Sequence, residues 1–179
     1  RLTGSQEVLP VTTYAYGQVT AVLDGSSLTV TGSFEGLSGK INFDLAGGAH
    51  IHDGLAGQNG GIAFLLAITA NEDSTGGTFV AEENTFTLTE EEITKLKARG
   101  FYVNIHSLAF PPGELRGQIL PEYESVYIST LAGSNEVPAI VSYASGTLIF
   151  EVNGGQLTVS GSFDNLSDVV SVDLAGGAH

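Results

Sequence analysis

Four histidines are the residues of this chain whose type and spacing could do chemistry. His50 and His52 form a His-x-His pair, and His106 lies in a later segment. Side chains alternate along a strand, so His50 and His52 should share one face. Three imidazole nitrogens with an open position suit zinc or copper(II). We therefore predict a copper or zinc site at His50, His52 and His106, and His179 is the counterpart of His50 in a repeated segment.

Hydrogen bonding is the alternative role for these histidines. An imidazole in a glycine-rich turn can donate to a carboxylate such as Asp53 and stabilise the loop without a metal ion. If a metal is bound, Asp53 could instead be the acceptor that fixes the tautomer of one ligand. Glu7 and Glu114 are candidates for a fourth ligand, although an ion pair with Arg116 is the favoured role for them.

Strands with turn residues between them must position the histidines. Residues 18–23 alternate apolar and polar side chains and run into Asp24-Gly25, a dipeptide that favours a tight hairpin, with 28–34 as the return strand. In residues 101–106 the apolar positions leave His106 on the opposite face. One short helix follows the capping box that begins at Thr89, and Gly100 ends it. Further strands are predicted at 41–45, 49–52, 61–70, 78–88 and 114–120.

A long internal repeat determines the domain organisation. Residues 2–50 align with 131–179 without a gap at an offset of 129, and 24 of these 49 positions are identical. A repeating unit of 129 residues has the length of a domain that can fold by itself. We predict one domain at 1–121 and the N-terminal part of a truncated second domain at 122–179. The expected fold is all-β, a Greek-key-like antiparallel β-sandwich or barrel with one short helix, repeated in tandem.

Composition limits the possible partners and compartments. Twenty acidic against six basic residues give a net charge of −14, which opposes binding to nucleic acid and anionic membranes. The longest apolar run, residues 62–68, has the length of a buried strand, so we expect no membrane insertion. The absence of cysteine excludes disulfides and thiolate metal sites. Calcium at Glu72-Asp73 or Glu82-Glu83 is not excluded, but the ligand spacing does not support it.

Several ordered motifs resemble the CHRD (chordin-type) domain. The resemblance covers residues 1–120 and, in truncated form, 126–179. It implies a secreted β-sandwich or barrel module and no agreed activity. The half of the domain that carries the His-x-His strand also resembles copper-zinc superoxide dismutases, in which such a strand supplies copper ligands. The motifs that carry the CHRD resemblance are residues 2–8, 28–37, 50–57, 102–107 and 113–119.

Two functional hypotheses follow. The first is an extracellular structural or adhesive repeat protein of the cell surface, without enzymatic activity. Its domains would self-associate into a filament through edge-strand pairing or strand exchange. The alternative is a copper- or zinc-binding metalloprotein with superoxide-dismutase-like chemistry at His50, His52 and His106.

Overall fold

The computed structural model describes residues 1–171 and residue 173. The chain divides into two compact units, Arg1–Glu124 (unit 1) and Ser125–His179 (unit 2). The division falls three residues after the predicted boundary between 121 and 122. His179 lies outside the described residues.

Unit 1 is an antiparallel sheet that curls into a half-barrel. The predicted all-β class, with antiparallel strands and one short helix, is therefore confirmed. Along the sheet the strand order is β5-β4-β9-β10-β1-β2-β3-β7-β6, and β8 pairs with β3. The elements are β1 (Leu2–Thr3), β2 (Tyr16–Asp24), β3 (Ser27–Glu35), β4 (Ala49–Asp53), β5 (Ile62–Leu65), β6 (Thr69–Ala70), β7 (Gly77–Phe79), β8 (Thr85–Thr87), α1 (Glu90–Lys97), β9 (Phe101–Ile105) and β10 (Leu115–Gln118).

Three of the predicted strands differ from the structure. Residues 41–45 do not form a strand, because Ile41 makes only a single bridge to Ser107 and a turn follows. Consecutive positive φ angles from Ala46 to Gly48 complete that turn and lead the chain into β4. The predicted strands 61–70 and 78–88 are each broken into two short strands. Between them the buried Asn84 side chain bonds both the N–H and the carbonyl of Ala67, and so replaces strand pairing there.

The apolar core lies on the inner face of the curled sheet. Strand alternation places Ile51 of β4, Val103 of β9 and Leu115 of β10 on this face, and each is at most 1% exposed. The Phe64 ring of β5 packs against two other rings. Its centroid lies 5.1 Å from that of Phe86 and 6.0 Å from that of Phe101. The core fixes β4 and β9 side by side, and these are the strands that carry the histidines.

Helix α1 begins and ends where the sequence predicts. The Thr89 hydroxyl accepts a hydrogen bond from the Glu92 N–H, and the Glu92 carboxylate accepts one from the Thr89 N–H at 2.7 Å. The chain leaves the helix at Gly100, whose N–H donates to the Lys95 carbonyl. Ile93 is the buried residue of the helix. No helix among the described residues has the length and apolar character needed to cross a bilayer.

Unit 2 contains a three-stranded sheet of β11 (Glu124–Ala132), β12 (Ser145–Asn153) and β13 (Gln156–Asp164). The β12–β13 hairpin pairs Ser145 with Asp164 and closes at Asn153 and Gln156. The β2–β3 hairpin of unit 1 has the same register at positions 129 residues earlier. The repeated sequence thus forms the same hairpin twice. The truncated second domain at 122–179 remains a prediction.

Candidate metal centre

Strand pairing brings the three described histidines to one place. β4 runs antiparallel to β9, with His50 opposite Asn104 and His52 opposite Tyr102. His106 directly follows β9, and its backbone N–H donates to the Gly48 carbonyl at 2.9 Å. One nitrogen from each of the three imidazoles lies within 4.8 Å of the other two. Among the described residues this is the one group of three metal-ligating side chains so closely placed, and it could hold a metal ion.

The cluster is buried, although it lies on the face of the sheet opposite the apolar core. His50 is fully buried and His106 is 5% exposed. His52 is partly exposed, but its Nε2 atom is buried. Three loops cover the histidines, formed by residues 42–48, 54–61 and 107–114. Alternation correctly predicts that the rings point away from the core, but that face is not open to solvent.

Each loop offers a backbone carbonyl to one imidazole. His50 Nε2 lies 2.9 Å from the Ala46 carbonyl, and His52 Nδ1 lies 3.0 Å from that of Gly60. His106 Nδ1 lies 2.9 Å from the Pro111 carbonyl. A carbonyl oxygen only accepts hydrogen bonds, so each of these nitrogens must carry the ring hydrogen. In a neutral imidazole the other nitrogen then carries a lone pair.

The three remaining nitrogens converge as lone pairs. His50 Nδ1 and His106 Nε2 lie 3.2 Å apart, and neither carries a hydrogen in the neutral rings. His52 Nε2 is buried and has no hydrogen-bond partner. Nitrogens bound to one tetrahedral zinc ion at about 2.0–2.1 Å would lie about 3.3–3.4 Å apart. The observed separation of the first pair is therefore close to that of two ligands of a single ion.

Protonation does not readily satisfy these lone pairs. The pKa of His106 is lowered to about 4, mainly by burial and also by the nearby His50 and His52, against the opposing effect of the Pro111 carbonyl. Burial also lowers the pKa of His52. A shared proton would place a positive charge in a buried cluster that disfavours it. His52 and His106 therefore favour the neutral form, which keeps one ring nitrogen free to bind a metal ion.

The predicted carboxylate partner of the histidines is wrong. Asp53 does not accept from an imidazole. It pairs instead with Lys95, whose Nζ lies 2.5 Å from Asp53 Oδ2. β4 has turned Asp53 toward helix α1, so backbone carbonyls take the role that the sequence gives to a side chain. Such carbonyls have no sequence signature, because every residue carries one.

The predicted ion pairs of Arg116 are also wrong. Glu114 accepts hydrogen bonds from the hydroxyls of Thr13, Ser38 and Ser107 at 2.5–2.8 Å. Burial raises the pKa of Glu114, but these bonds outweigh that effect and hold its pKa below the usual value. Arg116 donates to the carbonyls of Leu55 and Gln58 and to the Asn59 side chain.

Glu7 is buried near Arg116 without forming an ion pair. Its carboxylate oxygen Oε2 lies 3.5 Å from the Asn104 amide, and Oε1 has no partner. Burial raises the pKa of Glu7 to about 7, although Arg116 and Asn104 act in the opposite direction. Neither Glu7 nor Glu114 belongs to the histidine cluster.

Tyr102 and Arg116 belong to the surroundings of the site, and the sequence did not reveal their roles. The Tyr102 ring stacks on His52 with 5.0 Å between centroids and 9° between planes. The guanidinium carbon of Arg116 lies 3.5 Å from the centre of the Tyr102 ring. The Tyr102 hydroxyl accepts from the Gly60 N–H, so it also holds the loop whose carbonyl orients His52. Alternation predicts Tyr102 on the face of His106, and this was the available signal.

Comparison with known proteins identifies the domain. The family model of the CHRD domain matches residues 1–119, which is most of unit 1. The chain therefore belongs to the CHRD domain family. No curated protein and no solved structure shows significant similarity to it.

Proposed function

We propose that unit 1 is an extracellular metal-binding module that holds one copper or zinc ion at His50, His52 and His106. The supporting observation is the tautomer pattern. Three backbone carbonyls accept hydrogen bonds from the three rings, and the other ring nitrogens are left with three lone pairs that face one another. A set of buried acceptors without donors is costly unless a cation completes it. CHRD domains are typically extracellular, which supports the location.

The ion has a structural role rather than a catalytic one. It joins β4 to the end of β9, and each ligand is hydrogen-bonded to a different covering loop. Catalytic metal sites keep a coordination position open to water or substrate. Here the nitrogens that face one another belong to side chains that are buried or have a buried ligand atom. This burial favours a non-enzymatic module over superoxide-dismutase-like chemistry.

Metal stoichiometry tests this proposal. The metal-free protein, dialysed against zinc or copper and then freed of excess ion, should retain about one ion per chain by elemental analysis. The H52A variant should lose that ion, because two imidazoles remain. The K97A variant is the control, because Lys97 is exposed on α1 and does not belong to the cluster, and it should retain the ion. Equal retention by H52A and the native chain would refute the assignment.

A second candidate function is a structural array. The two hairpins with identical register at an offset of 129 residues support a chain built from tandem domains. Such domains would self-associate into an extracellular filament, with exposed strand edges as the contact. Electron microscopy of concentrated protein should then show fibres with an axial repeat of one domain. Dispersed monomers at high concentration would contradict this function and leave the metal site unaffected.

A further inference from the structure

We infer that the ion of this site is monovalent copper, held in three-coordinate form, and that the site disfavours divalent ions. This inference rests on the proposed metal site and names the ion that it selects. It follows from the charge of the ligand set, from the charge of its surroundings and from the number of ligands.

The ligand set contains no anion. An imidazole that binds a metal ion through its lone pair is an uncharged ligand, and no carboxylate belongs to the described cluster. The two acidic residues that lie close to the histidines in the sequence have other partners. Asp53 forms an ion pair with Lys95, and Glu114 accepts hydrogen bonds from hydroxyl groups. The cost of burying an ion rises with the square of its charge, so a divalent ion costs about four times as much as a monovalent one. A closed site with only neutral ligands therefore favours the lower charge.

The surroundings add positive charge to the site. Arg116 is 1% exposed and lies against Tyr102, which separates it from His52. Arg116 repels a divalent ion twice as strongly as a monovalent one. Glu7 is also buried, but it forms no ion pair with Arg116, and its carboxylate lies 3.5 Å from the Asn104 amide.

The number of ligands also favours copper(I). Structural zinc sites are almost always four-coordinate, and copper(II) prefers square-planar or tetragonal surroundings. The cluster supplies three nitrogens. The carbonyls of Ala46, Gly60 and Pro111 bond the far nitrogens of the rings and are not available as a fourth ligand. Copper(I) has a filled d shell and is stable with three ligands in a plane.

Competition between the two ions tests this inference. Metal-free protein would be titrated anaerobically at pH 8 with copper(I) under ascorbate against a chromophoric copper(I) chelator, and separately with zinc(II) against a zinc indicator. We expect copper(I) to bind at least 100-fold more tightly than zinc(II). X-ray absorption of the copper form should show three nitrogen ligands and a copper(I) edge. Tighter or equal zinc binding, or a four-coordinate copper(I) spectrum, would overturn the inference and leave a metal site in place. Failure of both ions to bind would instead refute the proposed function.

Two charge variants test the cause of the selectivity. R116M keeps a long side chain against Tyr102 but removes the charge. The ratio of copper(I) affinity to zinc(II) affinity should therefore fall at least about tenfold. E7Q removes a buried negative charge near Arg116, so the preference for copper(I) over zinc(II) should increase. This variant gives a result even if R116M does not fold. K97M is the matched control, because Lys97 is exposed on α1, and its preference should equal that of the native chain. Unchanged preference in both R116M and E7Q would overturn the role of the buried charges.

Discussion

The two faces of the β4–β9–β10 sheet are buried almost equally but are built from opposite chemistry. On the inner face Ile51, Val103 and Ile105 are at most 1% exposed and form an apolar core. On the outer face His50, Asn104 and Arg116 lie side by side across the same strands and are at most 3% exposed. The inner face needs only apolar contact, whereas every polar atom of the outer face needs a partner. Four buried side-chain atoms of the described residues lack one, and His52 Nε2 is the one that belongs to the histidine cluster.

The difference between the faces has a consequence for stability. Apolar burial stabilises the inner face whatever the protonation state of the protein and whether or not a ligand is bound. The outer face instead depends on hydrogen bonds, protonation states and, as we propose, an ion. Variants of the two faces should therefore respond differently to metal and to pH.

The largest effect is expected from an inner-face variant. I105A removes most of a fully buried side chain and leaves a cavity beside Ala49 and Leu115, the residues opposite it on the two neighbouring strands. It should lower the free energy of unfolding by about 2–5 kcal/mol. Urea unfolding with and without metal measures this loss, which should be the same in both conditions. A loss that depended on metal would contradict the separation of the two faces.

Metal removal should have the next largest effect, and only through the outer face. At a free ion concentration 100 times the dissociation constant, the bound ion should stabilise the native chain by about 2.7 kcal/mol. Urea unfolding of the native chain before and after chelation measures this difference. H52A should unfold at the same urea concentration in both conditions. Equal responses of the native chain and H52A to chelation would contradict a stabilising ion at this cluster.

The buried carboxylate of Glu7 should make the stability of the metal-free protein depend on pH. Its folded pKa of about 7 exceeds its usual value of 4.5, so the fold favours the protonated form. The resulting stability is fully present below pH 4.5 and is lost as the pH rises through 7. Relative to the native chain, E7Q should thus gain about 3 kcal/mol between pH 4.5 and pH 8. Urea unfolding of both metal-free proteins across this range measures the gain, and a constant difference would contradict the buried, protonated Glu7.

The exposed ion pair between Lys95 and Asp53 should have the smallest effect. Both side chains are partly exposed, at 33% and 47%, so solvent screens their attraction. K95Q should leave the urea concentration at the midpoint of unfolding almost unchanged and should leave metal retention unchanged. Loss of the ion in K95Q would show that Asp53 orients a ligand after all.

Strand alternation predicted the part of the site that depends on local geometry. It placed His50 and His52 on one face and His106 on the opposite side from the core, and the structure brings the three together. Strand alternation could not predict that loops would bury this face, because loops that cover a sheet have no regular apolar–polar pattern in the sequence. The carbonyl partners and the stacking of Arg116 on Tyr102 depend on long-range register and were likewise missed. The broken strand near Ala67 was missed because a side chain of distant Asn84 causes the break.

Nitrogen-15 NMR of the histidine rings tests the central claim most directly. In the metal-free protein at pH 7.5, His50 should carry its hydrogen on Nε2, and His52 and His106 should carry theirs on Nδ1. Addition of the ion should then shift His50 Nδ1, His52 Nε2 and His106 Nε2. A hydrogen on any of those three nitrogens in the neutral protein, or shifts on their opposite ring atoms, would contradict a metal centre defined by the three backbone carbonyls.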